Sequence, residues 1–476
     1  MRSLTALLYL FSLPLVAAAQ PKNITGIWQG KLHAGVDIPL VFHFTQAAAG
    51  ELTGTMDSPA QHVTGLQLSS VTLNGDSLTA ELKAAHAVYK AVATGDSTFT
   101  GTWQQGGASF ALVITHVAQA SVAAEVKRPQ TPVPPFAYSS QEVEYDNTDK
   151  TIHFGATLTY PSTGGPFTTV LLITGSGAQD RDETILGHKP FAVLADYLTQ
   201  KGYAVLRIDD RGVGKTTGSM QQATSADFAK DVEAGIAYLK TRPEVNKQKI
   251  GLLGHSEGGV IAPMVAAGDK TVSFIILWGG PVAGGLKTNT EQNALALQKA
   301  GISADAVTAF KQLHTQALEL FKTAKDVTAL NAAVKPVFDA WKQQQPANVL
   351  KSLMVTDSTI IGRSIFTIYD GLYNLPWMRF FITHNFAADL AKVHCPVLAI
   401  NGLLDTQVDA AENLGLIDNI LKKHNKQVYT VLPLKGLNHL LQTAVTGDAG
   451  EYEKINETIA PAALDAIGNW MDAHVK

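Results

Sequence analysis

Only one cysteine, Cys395, stands in 476 residues, so no disulfide can close within the chain and its stability must rest on packed cores. Charge is sparse and balanced. With 37 Lys and Arg against 41 Asp and Glu, the net charge is −4, which leaves no basic footprint and makes nucleic acid an unexpected partner. Long apolar runs are missing beyond the first residues. Residues 4–16 form the one near-exception, but Pro14 interrupts the run and it is shorter than the ~20 residues a bilayer span needs. No stable membrane span is expected. With Arg2 ahead of the run and Ala17 and Ala19 behind it, residues 1–19 read as a signal peptide cut after Ala19, which predicts an exported, periplasmic or secreted protein. Metal-ligand spacing is absent too: neither His188 nor His255 has a His-x-x-x-His pattern or a carboxylate cluster around it, so no metal and no other cofactor is expected.

What is present is length enough for two or three cores, with 46% hydrophobic residues and 40 glycines, the profile of a packed protein with many turns. Residues 20–120 read as all-β: alternating segments at 39–44, 65–73 and 77–82 are separated by the turn pairs Asn74-Gly75 and Gly95-Asp96. Gly26-Ile27-Trp28 near the start is echoed by Gly101-Thr102-Trp103 near the end, as if an aromatic plugged each edge of a small barrel or curled sheet. Residues 121–140 hold Pro129, Pro132, Pro134 and Pro135 and predict a semi-rigid, extended linker. From 141 to 476 strand and helix patterns alternate. Apolar runs at 170–174, 203–208, 249–253, 273–278, 396–400 and 427–432 predict buried strands of a mainly parallel sheet, and periodic segments at 191–201, 227–240 and 461–473 predict helices on both faces. Between 286 and 389 strand signals fade into helical texture that ends in the aromatic segment 369–386. This insertion is expected to be a cap that shapes a substrate pocket.

The chemistry concentrates at Gly254-His255-Ser256-Glu257-Gly258, which follows an apolar strand and opens a helix. In that context a Gly-x-Ser-x-Gly string makes a sharp turn with the serine at its tip. The Glu257 backbone N–H, at the helix N-terminus, then faces a developing oxyanion. A serine hydroxyl is a poor nucleophile without a histidine base oriented by a carboxylate. The strand at 396–400 leads to Asp405 and the strand at 427–432 leads to His439, which is the chain order this arrangement needs. Asp409 is the rival acid and lies farther from its strand. A second oxyanion donor is expected from Gly175-Ser176-Gly177-Ala178-Gln179 after the strand at 170–174, with the Ser176 N–H as first choice and Gly177 as the alternative. Gln179, His188 and His255 are candidates to line the pocket with Gly177. The string Gly212-Val213-Gly214-Lys215-Thr216 has Asp209 where a phosphate loop needs glycine, so it reads as a rim turn in which Asp210 and Arg211 pair.

From about residue 141 onward the chain resembles bacterial α/β-hydrolase esterases of the serine-aminopeptidase-like branch, including the esterase D type with an additional N-terminal domain. The strings that carry the resemblance are GSGAQDRDE from Gly175, GHKPF from Gly187, DDRGVGKT from Asp209, GHSEGG from Gly254, PWMRFF from Pro376, CPVLAINGLLD from Cys395 and GLNHL from Gly436. The resemblance implies an α/β-hydrolase fold with Ser256, Asp405 and His439 as a catalytic triad, no metal, and a small-molecule acyl ester as substrate. Relatives with these motifs act on esters, thioesters or amides, so a peptidase or amidase and a thioesterase stand as alternatives. A reading of another class makes the β domain a carbohydrate- or partner-binding module. No feature of the sequence sets an oligomeric state.

Overall fold

The computed structural model describes residues 24–33, 37–46, 50–58, 63–83, 87–105, 108–117, 128–355, 369–424 and 428–476. The signal peptide expected at 1–19, and residues 121–127 of the proline-rich stretch, lie outside the described residues. The chain divides into two units, Met1–Val122 and Ala123–Lys476.

Nine antiparallel strands build the first unit: β1 (Gly26–His33), β2 (Asp37–Gln46), β3 (Leu52–Ser58), β4 (Val63–Gln67), β5 (Ser70–Asn74), β6 (Ser77–Leu82), β7 (Ala87–Gly95), β8 (Thr98–Gln105) and β9 (Ala108–Val117). They lie in the order β4-β3-β2-β1-β9-β8-β7-β6-β5, a curled sheet. Period-two alternation sets its inner face: Leu78, Ala80 and Leu82 of β6 are buried while Ser77, Thr79 and Glu81 between them are not. Gly75 takes a φ of +60° in the β5–β6 hairpin, as an Asn-Gly turn requires. The segment expected as one strand at 65–73 is two, because Leu68 dives into the core and its amide turns back to the Gly54 carbonyl at 2.9 Å. The two tryptophans also differ from expectation. Trp28 and Trp103 sit on β1 and β8, which flank β9 in the middle of the sheet, so neither plugs an edge. Both are buried in one apolar core, Trp28 against Phe99 at 5.0 Å and Trp103 against Phe42 at 6.2 Å.

The second unit begins with a correction to the expected linker. Arg128 donates to the carbonyls of Leu186, Glu453 and Ile455, and the Gln130 amide donates to Ile459 O at 2.8 Å. A guanidinium whose two terminal nitrogens donate to three backbone carbonyls is a fastener, so the described part of this stretch is bound to its unit, and strand structure already starts at Tyr138.

Eight strands follow in the order β10-β11-β13-β12-β14-β15-β16-β17: β10 (Tyr138–Asp146), β11 (His153–Pro161), β12 (Phe167–Ile173), β13 (Ala204–Ile208), β14 (Val245–His255), β15 (Val272–Trp278), β16 (Val397–Gly402) and β17 (Tyr429–Leu434). The pairs from β13 through β17 are parallel, and β10 and β11 add an antiparallel edge. The continuous apolar runs are explained by burial on both faces. Leu171, Leu252 and Ile275 enter one core with α2 (Ser225–Leu239) and α3 (Gly258–Gly268). Their neighbours Leu172, Leu253 and Ile276 enter the other with α1 (Pro190–Gln200) and the helix Pro461–His474.

Between β15 and β16 lie α4 (Gly285–Lys299), α5 (Ala304–Thr323), α6 (Val327–Gln344) and the shorter helices Ala347–Ser352, Pro376–Thr383 and Phe386–Lys392. Leu313, Leu318, Phe321, Leu330, Phe338 and Trp341 give this insertion a core of its own. It therefore does more than extend the sheet's packing. Its far boundary falls earlier than residue 389, since Phe386 and Leu390 belong to the sheet's core.

Candidate active site

Ser256 joins β14 to α3 with φ +52°, a left-handed conformation that strains a non-glycine residue by roughly 1–3 kcal/mol. Its surroundings over-determine it. The Ser256 amide donates to Trp278 O at 2.8 Å, and the Ser256 carbonyl accepts from the Gly259 amide at 2.9 Å. A Cβ on Gly254 would fall 1.9 Å from Gly258 O, and one on Gly258 would fall 2.2 Å from Ile173 O. The motif's glycines are thus space requirements of a chain crossing itself and the neighbouring strand.

The expected base and acid, His439 and Asp405, lie in the loops after β17 and β16. His439 Nδ1 donates to Asp405 Oδ2 at 2.6 Å, and Asp405 Oδ1 accepts the amides of Gln407 and Val408 at 2.8 and 2.9 Å. The acid's side chain is fully buried and that of His439 is 3% exposed. Asp409 is occupied elsewhere: it caps the helix Ala410–Lys423 by accepting from the Glu412 amide at 2.7 Å. The His439 carbonyl takes the Trp278 indole N–H at 2.9 Å, which ties the base to the residue that also holds the Ser256 amide. Gly279 (φ +60°) forms the floor, and a Cβ there would sit 3.2 Å from His439 Cε1. With Nδ1 committed to Asp405, Nε2 is the ring nitrogen that stays available.

The loop after β12 is clamped around its free amides. Gly175 N donates to Glu183 Oε1 at 2.6 Å, Thr174 Oγ1 to Asp210 Oδ1 at 2.7 Å, and Gln179 N to Asp210 Oδ2 at 2.9 Å. Gln179 Nε2 reaches the Ser176 carbonyl at 3.3 Å, and Gly177 has φ +102°. No hydrogen bond among the described residues takes up the amides of Ser176, Gly177 or Glu257. The loop abuts the nucleophile, because a Cβ on Gly175 would lie 3.2 Å from Ser256 Cβ. This arrangement can present backbone donors to an oxygen on Ser256's substrate.

Three buried acids ring this loop. Burial pushes the Asp210 carboxyl well above its ordinary range; the Gln179 and Thr174 hydrogen bonds oppose this, and Glu183 and Glu257 add to it. Burial likewise raises Glu257, against hydrogen bonds from Ser225 and Trp377. A cavity of about 50 Å³ runs beside them, with Gly175, Asp210, Glu257, Met220 and Phe228 among its walls.

Residues 189–333 match the family model described as serine aminopeptidase, S33. The esterase EstD of Thermotoga maritima is 28% identical over 205 residues, 43% of this chain and 48% of the relative. The uncharacterized protein YfhR of Escherichia coli K12 is 30% identical over 137 residues, 29% of this chain and 45% of the relative. The chain thus spans about half the length of the curated relatives it matches. Among solved structures, the Pyrococcus furiosus esterase Pf2001 is 15% identical with a TM-score of 0.42, covering 74% of this chain and 99% of its own.

The second unit is similar to serine hydrolases of this kind.

Two sequence expectations fall in the second unit. His188 does not line the pocket: it is fully buried, with Nδ1 against Thr458 Oγ1 at 3.0 Å and Nε2 donating to Tyr452 O at 2.9 Å, a clasp on the C-terminal loop. Asp210 does not pair with Arg211, which binds Asp231 at 2.6 Å instead. His255 is also buried, at 3% exposure, and acts from behind the site, with its ring centroid 4.6 Å from that of His439. The site further gathers residues the motifs did not single out. Glu183 holds both the oxyanion loop and His255, and Trp377, from the insertion helix Pro376–Thr383, donates to Glu257 Oε1 at 2.7 Å. GSGAQDRDE contains Glu183, but only the tertiary fold reveals which of its acids turns inward.

Proposed function

We propose that the hydrolase cleaves carboxylic esters of small molecules by two-step acyl transfer through Ser256. The observation that carries this reading is the His439–Asp405 pair at 2.6 Å, set beside a serine held in a strained turn. His439 Nε2 accepts the Ser256 proton as the hydroxyl attacks the ester carbonyl, and Asp405 stabilises the imidazolium that results. The Ser176 and Glu257 amides receive the charge on the carbonyl oxygen. His439 then returns the proton to the departing alcohol. Water, activated by the same imidazole, releases the acid and regenerates Ser256.

Ester chemistry is favoured over an aminopeptidase role by what the insertion brings to the site. Helix Pro376–Thr383 contributes Trp377 and carries no carboxylate, and Glu257, at the elbow, already spends Oε1 on Ser225 and Trp377. The esterase named among the relatives supports the same reading. The test is labelling with a serine-directed fluorophosphonate alongside turnover of p-nitrophenyl acetate and an aminoacyl p-nitroanilide. We expect modification of Ser256 and preference for the ester; an unlabelled Ser256 in active protein would overturn the reading. Export is part of the proposal, and a mature N-terminus at Gln20 in the periplasmic or culture fraction is its expected sign.

A further inference from the structure

Three buried histidines besides His439 differ in what faces their two ring nitrogens. His188 has a hydroxyl on one side and a carbonyl on the other. His314 has the Tyr369 hydroxyl at Nδ1 and the Asn289 side-chain oxygen at Nε2, at 3.1 and 2.8 Å. A hydroxyl can donate, so each ring is satisfied as neutral imidazole. His255 is placed otherwise. Its Nδ1 meets Glu183 Oε1 at 2.8 Å and its Nε2 meets the His439 carbonyl at 3.3 Å. A carboxylate and a carbonyl both only accept, so both nitrogens must carry protons, and the ring is an imidazolium. Burial by itself would lower its pKa, but the charge and hydrogen bond of Glu183, with Asp405 and the His439 carbonyl adding to them, hold it above the ordinary histidine value.

Glu183 is equally committed. It is 1% exposed, and its Oε1 accepts both His255 and the Gly175 amide, the latter at 2.6 Å. Its own backbone sits at φ +52°, a strain the surrounding bonds must hold in place. One carboxylate oxygen thus links the oxyanion loop to the residue before the nucleophile, and that residue links to the base.

We propose that Glu183 and His255 form a lasting buried carboxylate–imidazolium strut that positions the oxyanion loop and His439 for catalysis. Neither residue touches substrate; both act through Gly175 and the His439 backbone, and the inference rests on Ser256 being the nucleophile. The charged and titratable groups facing the strut are His439 and Asp405 from the loops after β17 and β16 and Asp210 from the loop after β13, with Glu257 from the elbow acting on Asp210 in turn. The imidazolium end lies toward His439 and opposes a second positive charge there. Removing the strut's charge should therefore move the acid limb of kcat/KM to higher pH.

The test uses the full-length protein and the variant Glu183→Gln, which keeps size and an acceptor for Gly175 but loses the charge. With p-nitrophenyl acetate we expect kcat to fall about 10- to 100-fold with KM within about twofold, and the acid limb to shift upward. Nitrogen-15 NMR of the wild-type protein at pH 8 should show both ring nitrogens of His255 protonated, against one in the variant. A folded Gln variant with kcat and acid limb unchanged overturns the proposal. So does a single ring proton on His255 in the wild type, a measurement that stands even if the variant fails to fold. Absence of fluorophosphonate labelling at Ser256 in the wild type would instead sink the hydrolytic reading and leave the ring's charge to be read by itself.

Discussion

At the scale of single residues, the proposed triad is a division of labour fixed by what each nitrogen and oxygen already holds. Asp405 gives one oxygen to two backbone amides and the other to His439, so the imidazole is locked in the tautomer that leaves Nε2 receptive. Asp405→Asn keeps the shape but can present an amide to Nδ1, and turnover of p-nitrophenyl acetate should drop by about 10⁴-fold with the fold retained. Ser256→Ala should lower kcat by on the order of 10⁶-fold if the three residues act as a unit; near-parental kcat in either variant would refute the assignment. Gly258→Ala tests the elbow's geometry. Its new methyl would meet Ile173 O, and we expect a lower melting temperature together with loss of fluorophosphonate labelling. These positions were legible in the sequence because strand context, glycine spacing and chain order each constrain them. Glu183 was not, since its role depends on a strained turn eight residues past Gly175 and on a ring contributed from β14.

At the scale of elements, the insertion between β15 and β16 is a helical body with its own interior, joined to the site through Trp377. Its existence could be read from fading strand periodicity, whereas its contact with Glu257 could not, because helical periodicity names the buried face of Pro376–Thr383 but not the atom it meets. Trp377→Phe should keep the apolar packing and lose the bond to Glu257 Oε1; we expect kcat/KM to fall by roughly tenfold, or about 1.4 kcal/mol, with the melting temperature little changed. The insertion also carries an acid-sensitive core. Burial lowers His314 from an ordinary value of 6.5 to about 4. A histidine depressed in the folded state contributes stability that is fully present above 6.5, and this is lost as pH falls toward 4, because the unfolded chain takes up the proton first. The loss is on the order of 3 kcal/mol over that window. Protection factors in α5 and α6, each taken against the intrinsic exchange rate at its own pH, should fall from pH 7.5 to pH 5, and His314→Gln should flatten that dependence; an equally steep fall in the variant would refute it.

At the scale of the whole chain, two units with separate cores follow from one sequence whose texture changes near residue 122. No helix among the described residues is long and apolar enough to cross a membrane. The change from period-two strands with turn pairs to alternating strand and helix was visible in the residues, and so was the parallel sheet, because its strands are apolar on both faces. The grip of Arg128 and Gln130 was hidden beneath the proline count: prolines predict an extended path but not the carbonyls that receive a guanidinium. We expect deletion of residues 20–122 to leave kcat/KM for p-nitrophenyl acetate within about threefold, since every residue of the proposed chemistry lies beyond that point. A far larger loss in a folded truncation would assign the β unit a direct part in turnover. Comparison on polymeric esters separates a targeting role, which would depress only that activity.

The left-handed backbone at Ser256 has a consequence for heat tolerance. Glycine adopts that conformation without the steric strain and at a smaller cost in chain entropy, so Ser256→Gly should melt above the parent protein while losing the proposed chemistry. A search for thermostable variants that selects on survival alone would then be drawn to the very position where the catalyst is destroyed, and the gap between the two melting curves would measure how much durability the enzyme forgoes in order to turn over at all.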